Sequence, residues 1–234
     1  MGAMIDIDTL CHDARFGGYC AEPDGPAGAA VIVVQEIFGV NPGIRAKCDE
    51  WAAAGYLAIA PDLFWRSQPG VELEPETPGD FEKAVALMQA CDVDRAIGDI
   101  EASIRAARAR LGDAHGKVGV VGFCFGGLLA YLSATRTDAD AAVGYYGGRI
   151  DAFLGESHAI GKPLLLHFAL EDAHIDAAAR QAVHAALDDN RHVGIEEYAG
   201  ADHGFAATSG SRRNDAAAKK ADARTSAFFA EHLG

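Results

Sequence analysis

The segment Gly122-Phe123-Cys124-Phe125-Gly126-Gly127 follows an apolar, β-branched run and precedes a helix-forming one. Glycine two residues to either side of a nucleophile fits a sharp strand-to-helix turn, where the flanking positions must lack side chains. The turn places the Cys124 thiol at a helix N-terminus, whose partial positive charge favours thiolate over thiol. Amides exposed there, starting with that of Phe125, are suited to hold a developing oxyanion. A dinucleotide-binding turn fits less well, because the Gly-x-Gly-x-x-Gly spacing is absent and no phosphate-binding lysine follows. The chemistry implied is attack by sulfur on an acyl carbon.

A cysteine nucleophile needs a base, and the base needs an orienting acid. His203 stands in Gly200-Ala201-Asp202-His203-Gly204-Phe205, just beyond the last expected strand. Asp172 stands in Leu170-Glu171-Asp172-Ala173-His174, just beyond the strand before it, with Glu171 and Asp176 near enough to compete for the role. The chain order nucleophile, acid, histidine is that of α/β-hydrolases. Glu36 ends the apolar run Val31 to Gln35. A carboxylate there is either functional or bonded to backbone amides, since unpaired burial is costly. His174, His184 and His192 lack a tight ligand spacing, so no metal is expected, nor an organic cofactor.

The elements that must position these groups alternate along the chain. Expected strands are Ala29 to Val34, Tyr56 to Ala60, Lys117 to Val121, Ala141 to Tyr145, Pro163 to Phe168 and Ile195 to Tyr198. Helices are expected from Pro42 to about Ala54, near Asp80 to Ala90, Val93 to Ala109, Gly126 to Ala134, Asp176 to Leu187 and Asn214 to His232. Short continuous apolar strands alternating with helices predict an α/β fold, a mostly parallel sheet with helices on both faces. Ligands bind beyond the carboxyl ends of such strands, where the chemical residues fall. A single domain over residues 1–234 is expected, the proline-rich stretch Ser67 to Asp80 being a surface excursion and residues 1–3 an addition to the fold.

Half of the residues are hydrophobic and 23% are charged, the balance of a chain with a core. The formal net charge of −14 disfavours nucleic acid and anionic lipid as partners. No apolar stretch reaches membrane-spanning length, and the start carries no basic region followed by an apolar run, so neither a membrane span nor a secretory signal is expected. Five cysteines, an odd number with no CxxC pair, fit reduced thiols in a cytoplasm. The charge and composition leave the oligomeric state open.

Over nearly its whole length the chain resembles the dienelactone hydrolase family, the carboxymethylenebutenolidases. The resemblance rests on Val34-Gln35-Glu36-Ile37-Phe38-Gly39-Val40-Asn41, Ala60-Pro61-Asp62-Leu63, Gly122 to Gly127, Val143-Gly144-Tyr145-Tyr146-Gly147, and the segments holding Asp172 and His203. It implies a Cys124–His203–Asp172 triad, Glu36 beside the nucleophile to assist its activation, and an oxyanion hole from the amides of Ile37 and Phe125. It also implies substrate contacts from Phe38, Phe81, Val85, Met88, Tyr145 and Ala207. Family members acting on dienelactone hold its carboxylate with two arginines, and Phe81 and Ala207 occupy the matching positions here. Val85 and Met88 replace a tyrosine and a tryptophan. These departures imply a softer pocket and small neutral esters or lactones as substrates, unless Arg66, Lys83, Arg212 or Arg213 folds into the mouth. A cysteine peptidase or acyltransferase on the same scaffold, or a non-catalytic thiol sensor, are the competing functions.

Overall fold

The computed structural model describes residues 2–113, 115–208 and 210–234. The element order is β1 (Ala3–Asp8), β2 (Arg15–Ala21), β3 (Ala29–Val34), α1 (Pro42–Ala53), β4 (Leu57–Pro61), α2 (Asp80–Ala90), α3 (Val93–Leu111), β5 (Lys117–Phe123), α4 (Phe125–Arg136), β6 (Ala141–Tyr145), β7 (Leu164–Ala169), α5 (Ala177–Leu187), β8 (Val193–Tyr198) and α6 (Asp215–Leu233). A 3-10 stretch, Ile150–Ala159, lies between β6 and β7. The eight strands form one sheet in the order β1-β2-β4-β3-β5-β6-β7-β8. From β4 to β8 all neighbours are parallel, while β1 and β2 are antiparallel at one edge.

Every residue of β3, β4, β6 and β7 is buried, which requires a helical layer on each face. Helices α1 and α6 cover one face and meet through Trp51 and Phe229, whose rings are 5.3 Å apart. Helices α3 and α4 pack on each other over the other face. Helix starts are fixed locally: Asn41 accepts from the Ile44 amide at 3.1 Å ahead of Pro42, and Asp176 accepts from the Ala179 amide at 2.8 Å ahead of α5. Among the described residues no helix is long and apolar enough to cross a membrane.

Residues 2 and 3 are part of the fold and not an addition to it: Ala3 is paired with Cys20 in β1, and the Gly2 amide donates to the Tyr19 hydroxyl at 2.8 Å. Met1 lies outside the described residues. Because β3, β5, β6, β7 and β8 run parallel, their carboxyl ends open on the same side of the sheet. There the chain carries Glu36, Cys124, Tyr146, Asp172 and His203.

Candidate active site

The strand β5 ends and α4 begins within one residue, Cys124, at φ 55° and ψ −113°. This strained conformation is held from both sides. The Cys124 amide donates to the Tyr145 carbonyl at 3.0 Å, and its carbonyl accepts from the Gly127 amide at 2.9 Å. A Cβ on Gly122 would run into the Gly126 carbonyl, and one on Gly126 would stand 2.5 Å from the Val34 carbonyl oxygen. The flanking glycines therefore let the turn close against itself and against β3. Strain held by its surroundings at a single non-glycine residue is typical of a functional position.

His203 follows β8 and is 7% exposed. Its Nδ1 lies 2.9 Å from Oδ2 of Asp172, whose other oxygen accepts from the amides of His174 at 2.8 Å and Ile175 at 3.2 Å. Those amides fix the carboxylate, so the carboxylate fixes the ring. Burial by itself would lower the affinity of His203 for a proton, but the hydrogen bond to Asp172 and the neighbouring Cys124 sulfur, with the negative charge each carries when ionised, push its pKa up to about 10. Burial likewise works to raise Asp172, and the His203 and backbone hydrogen bonds outweigh it, leaving that carboxyl below its ordinary value. Glu171 is exposed, and Asp176 caps α5. Of the three candidate acids, Asp172 alone reaches the imidazole.

The other thiols sit elsewhere. Burial raises the pKa of Cys20, raises Cys48 strongly, and pushes Cys91 up to about 11, while Cys11 is exposed on the surface. Phe125 opens α4, where the first N–H groups have no intrahelical acceptor. Neither its amide nor that of Ile37 donates to a loop or turn carbonyl among the described residues.

The dienelactone hydrolase family model matches residues 16–233. The chain belongs to the dienelactone hydrolase family. It is 42% identical over 234 residues, 99% of this chain and 100% of the relative, to a provisionally assigned carboxymethylenebutenolidase of Azospirillum brasilense. It is 37% identical to a carboxymethylenebutenolidase of Pseudomonas putida, covering 96% of this chain and 95% of that one. Among solved structures, a provisionally assigned dienelactone hydrolase of Klebsiella pneumoniae superposes with a TM-score of 0.84 at 29% identity, covering 99% of both chains. Membership makes this α/β-hydrolase fold a hydrolase acting on carboxylic ester bonds.

In this dienelactone hydrolase family member a cleft of about 720 Å³ opens beside the paired residues, with Glu36, Phe81, Phe123, Tyr146, Ala207 and Arg212 in its wall. Cys124 and His203 adjoin that wall through their chain neighbours Phe123 and Gly204, which form part of it. Of the six substrate contacts expected from the resemblance, Phe81 and Ala207 line the cleft and four fall elsewhere. Tyr145 points the other way, its hydroxyl bonded to Asp222 at 3.0 Å and Thr225 at 2.6 Å on α6, and Tyr146 faces the cleft in its stead. Strand side chains alternate, so the neighbour of an inward residue faces outward. Val85 and Met88 pack against the core from α2 and take no part in the cleft wall. Phe38 is 2% exposed and lies beneath Phe81 and the Arg212 guanidinium.

Of the four cations considered for the mouth, only Arg212 lines it. Arg66 is paired with Asp99, and Arg213 donates to the Ala207 carbonyl at 2.6 Å and to Asp215 at 2.7 Å. The sequence reading missed Lys47, a buried lysine on α1 that also lines the cleft, with its Nζ 4.4 Å from the centre of the Phe123 ring. A lone lysine on an amphipathic helix reads as a solvent-facing residue, and no motif marks it.

Proposed function

We propose that the protein hydrolyses small carboxylic esters or lactones through a covalent thioester on Cys124. The Cys124 thiol passes its proton to Glu36 as its sulfur attacks the acyl carbon, and the carbonyl oxygen gains charge between the Ile37 and Phe125 amides. His203 gives its proton to the leaving oxygen as the tetrahedral intermediate collapses, and Asp172 holds the ring for that transfer. Water, deprotonated by His203, then attacks the thioester and frees the acid, and the departing sulfur takes its proton back from Glu36. The observation that carries this reading is the strained Cys124 at a helix N-terminus next to a histidine whose far nitrogen is 2.9 Å from a backbone-anchored carboxylate. A thiol sensor has no use for that carboxylate. Peptidase and acyltransferase chemistry would use the same groups, but a substrate screen separates them from hydrolysis.

Small neutral esters or lactones are the proposed substrates. The cleft wall carries Glu36, Glu74 and Glu76 against Lys47 and Arg212, a mixed lining with no excess of positive charge. The test is a hydrolysis screen of paired neutral and carboxylate-bearing esters and lactones, with Cys124→Ala as the blank. The neutral member of each pair is expected to have the higher kcat/KM, and Arg212→Ala to change that ratio less than about 3-fold, since Glu74 and Glu76 in the same wall offset the charge of Arg212. A preference for the anionic member that falls about 10-fold or more in Arg212→Ala would replace the neutral substrate class with an anionic one.

A further inference from the structure

Two buried side-chain polar atoms among the described residues have no hydrogen-bond partner: Nε2 of Gln35 and the hydroxyl of Tyr146. Gln35 is anchored by its other end, since its Oε1 accepts from the Leu63 amide at 3.1 Å. Tyr146 has only the one polar atom. The residue is fully buried, yet its ring packs edge-on to His203 with centroids 5.1 Å apart and forms part of the cleft wall with Glu36. It is also held at φ 37°, an unfavourable conformation for an aromatic residue, with its amide donating to the His167 carbonyl at 2.8 Å. The next carbonyl back, that of Tyr145, receives the Cys124 amide. The strained turn that carries Tyr146 is therefore bonded directly to the strained turn that carries the nucleophile.

Glu36 is the complement. Its carboxylate, an acceptor only, is half-buried in the same wall and has no hydrogen bond or ion pair among the described residues. A donor without an acceptor thus stands in one wall with an acceptor without a donor. Glu36 and then Cys124 are the ionisable groups whose charge the Tyr146 hydroxyl senses most strongly, after the effect of its own burial.

We propose that Tyr146 is a positioning residue for Glu36: in the working enzyme its O–H donates to the Glu36 carboxylate and holds it against the Cys124 thiol. The tyrosine is fully buried and Glu36 only half-buried, so the carboxylate is the partner free to turn and close the bond. The carboxylate so held is a directed acceptor for the thiol proton, so the hydroxyl sets how readily sulfur becomes a nucleophile without touching substrate. This inference rests on Cys124 being the nucleophile.

The test is a double-mutant cycle of Tyr146→Phe and Glu36→Gln, read by the rate at which iodoacetamide alkylates Cys124, located by peptide mass spectrometry. Tyr146→Phe keeps every packed ring carbon and removes an unsatisfied hydroxyl, so its melting temperature is expected to equal or exceed that of the wild type. Alkylation is expected to slow about 10-fold, the usual scale of a hydrogen bond to a charged group, and its acid limb to move to higher pH. In the Glu36→Gln background the same change is expected to alter the rate less than about 2-fold, the two groups acting as one unit. Additive losses, or wild-type alkylation in Tyr146→Phe, would overturn the proposal. Because alkylation is scored at Cys124 whether or not esters are cleaved, this outcome is separate from that of the hydrolysis screen. Ester turnover surviving in Cys124→Ala would instead refute the nucleophile.

Discussion

At the residue scale the division of labour between two aspartates is the sharpest point. Asp172 and Asp176 are four positions apart, yet one carboxylate accepts from two loop amides and faces His203, while the other accepts from the Ala179 amide at a helix start. Asp172→Asn removes the charge that orients and stabilises the imidazolium, and kcat is expected to fall about 100-fold or more at neutral pH. Asp176→Ala is expected to leave kcat within about 2-fold and to cost about 1 kcal/mol of stability through loss of the cap. Steady-state kinetics and denaturant melts on the two variants check both. Equal kinetic damage would mean that the acid is wrongly assigned. The same scale explains Tyr145. The resemblance pointed to Tyr145 at the end of β6, but whether residue 145 or 146 faces the cleft depends on strand alternation and on the positive φ of Tyr146, neither of which a spacing shows.

At the scale of elements, the six parallel strands and their helices were legible because each is a short apolar or amphipathic run closed by a cap or a glycine. The ends of β5, β7 and β8 were legible for the same reason, and with them the proximity of Cys124, Asp172 and His203. The edge pair β1 and β2 was not. Gly17 and Gly18 interrupt β2, and β1 alternates exposed acids with Ile5 and Ile7, so neither reads in the sequence as a continuous apolar run. β1 pairs with β2 across a short turn, and β2 is held to the sheet by its long-range pairing with β4. A second illegible feature lies inside β7. His167 is fully buried, its Nδ1 2.9 Å from the Tyr198 hydroxyl and its Nε2 3.0 Å from the Thr225 hydroxyl, which ties β7 to β8 and to α6. Burial, with the nearby Arg224 charge, depresses its pKa to about 3, so the ring is neutral in the folded protein at any ordinary pH.

At the scale of the whole molecule these two histidines set opposite limits on stability. Between about pH 6.5 and 3 the unfolded chain takes up a proton at residue 167 that the folded chain refuses, so stability is lost as pH falls through that window. Residue 203 behaves in the reverse sense: its folded pKa is raised to about 10, so its contribution is complete below about pH 6.5 and is lost as pH rises towards 10. Melting temperature is therefore expected to peak near pH 6.5. The alkaline decline is expected to shrink in His203→Ala, and the acid decline in His167→Gln. A melting temperature that rises steadily from pH 6.5 to 10 would contradict the alkaline half. For turnover, His203 kept protonated to about pH 10 means that the proton for the leaving oxygen remains available across the neutral and mildly alkaline range.

The central claim is that the acyl group passes through sulfur, and the acyl-enzyme itself reports on it. An ester that the protein turns over is mixed with it, the reaction is quenched in acid within one turnover, and the digested protein is mapped by mass spectrometry. The expected result is one acyl group per chain on the peptide containing Cys124, absent from Cys124→Ala, whose hydrolysis rate falls to that of the ester in buffer alone. An acyl group on another residue, or Cys124→Ala turning over at a rate near that of the wild type, would contradict it.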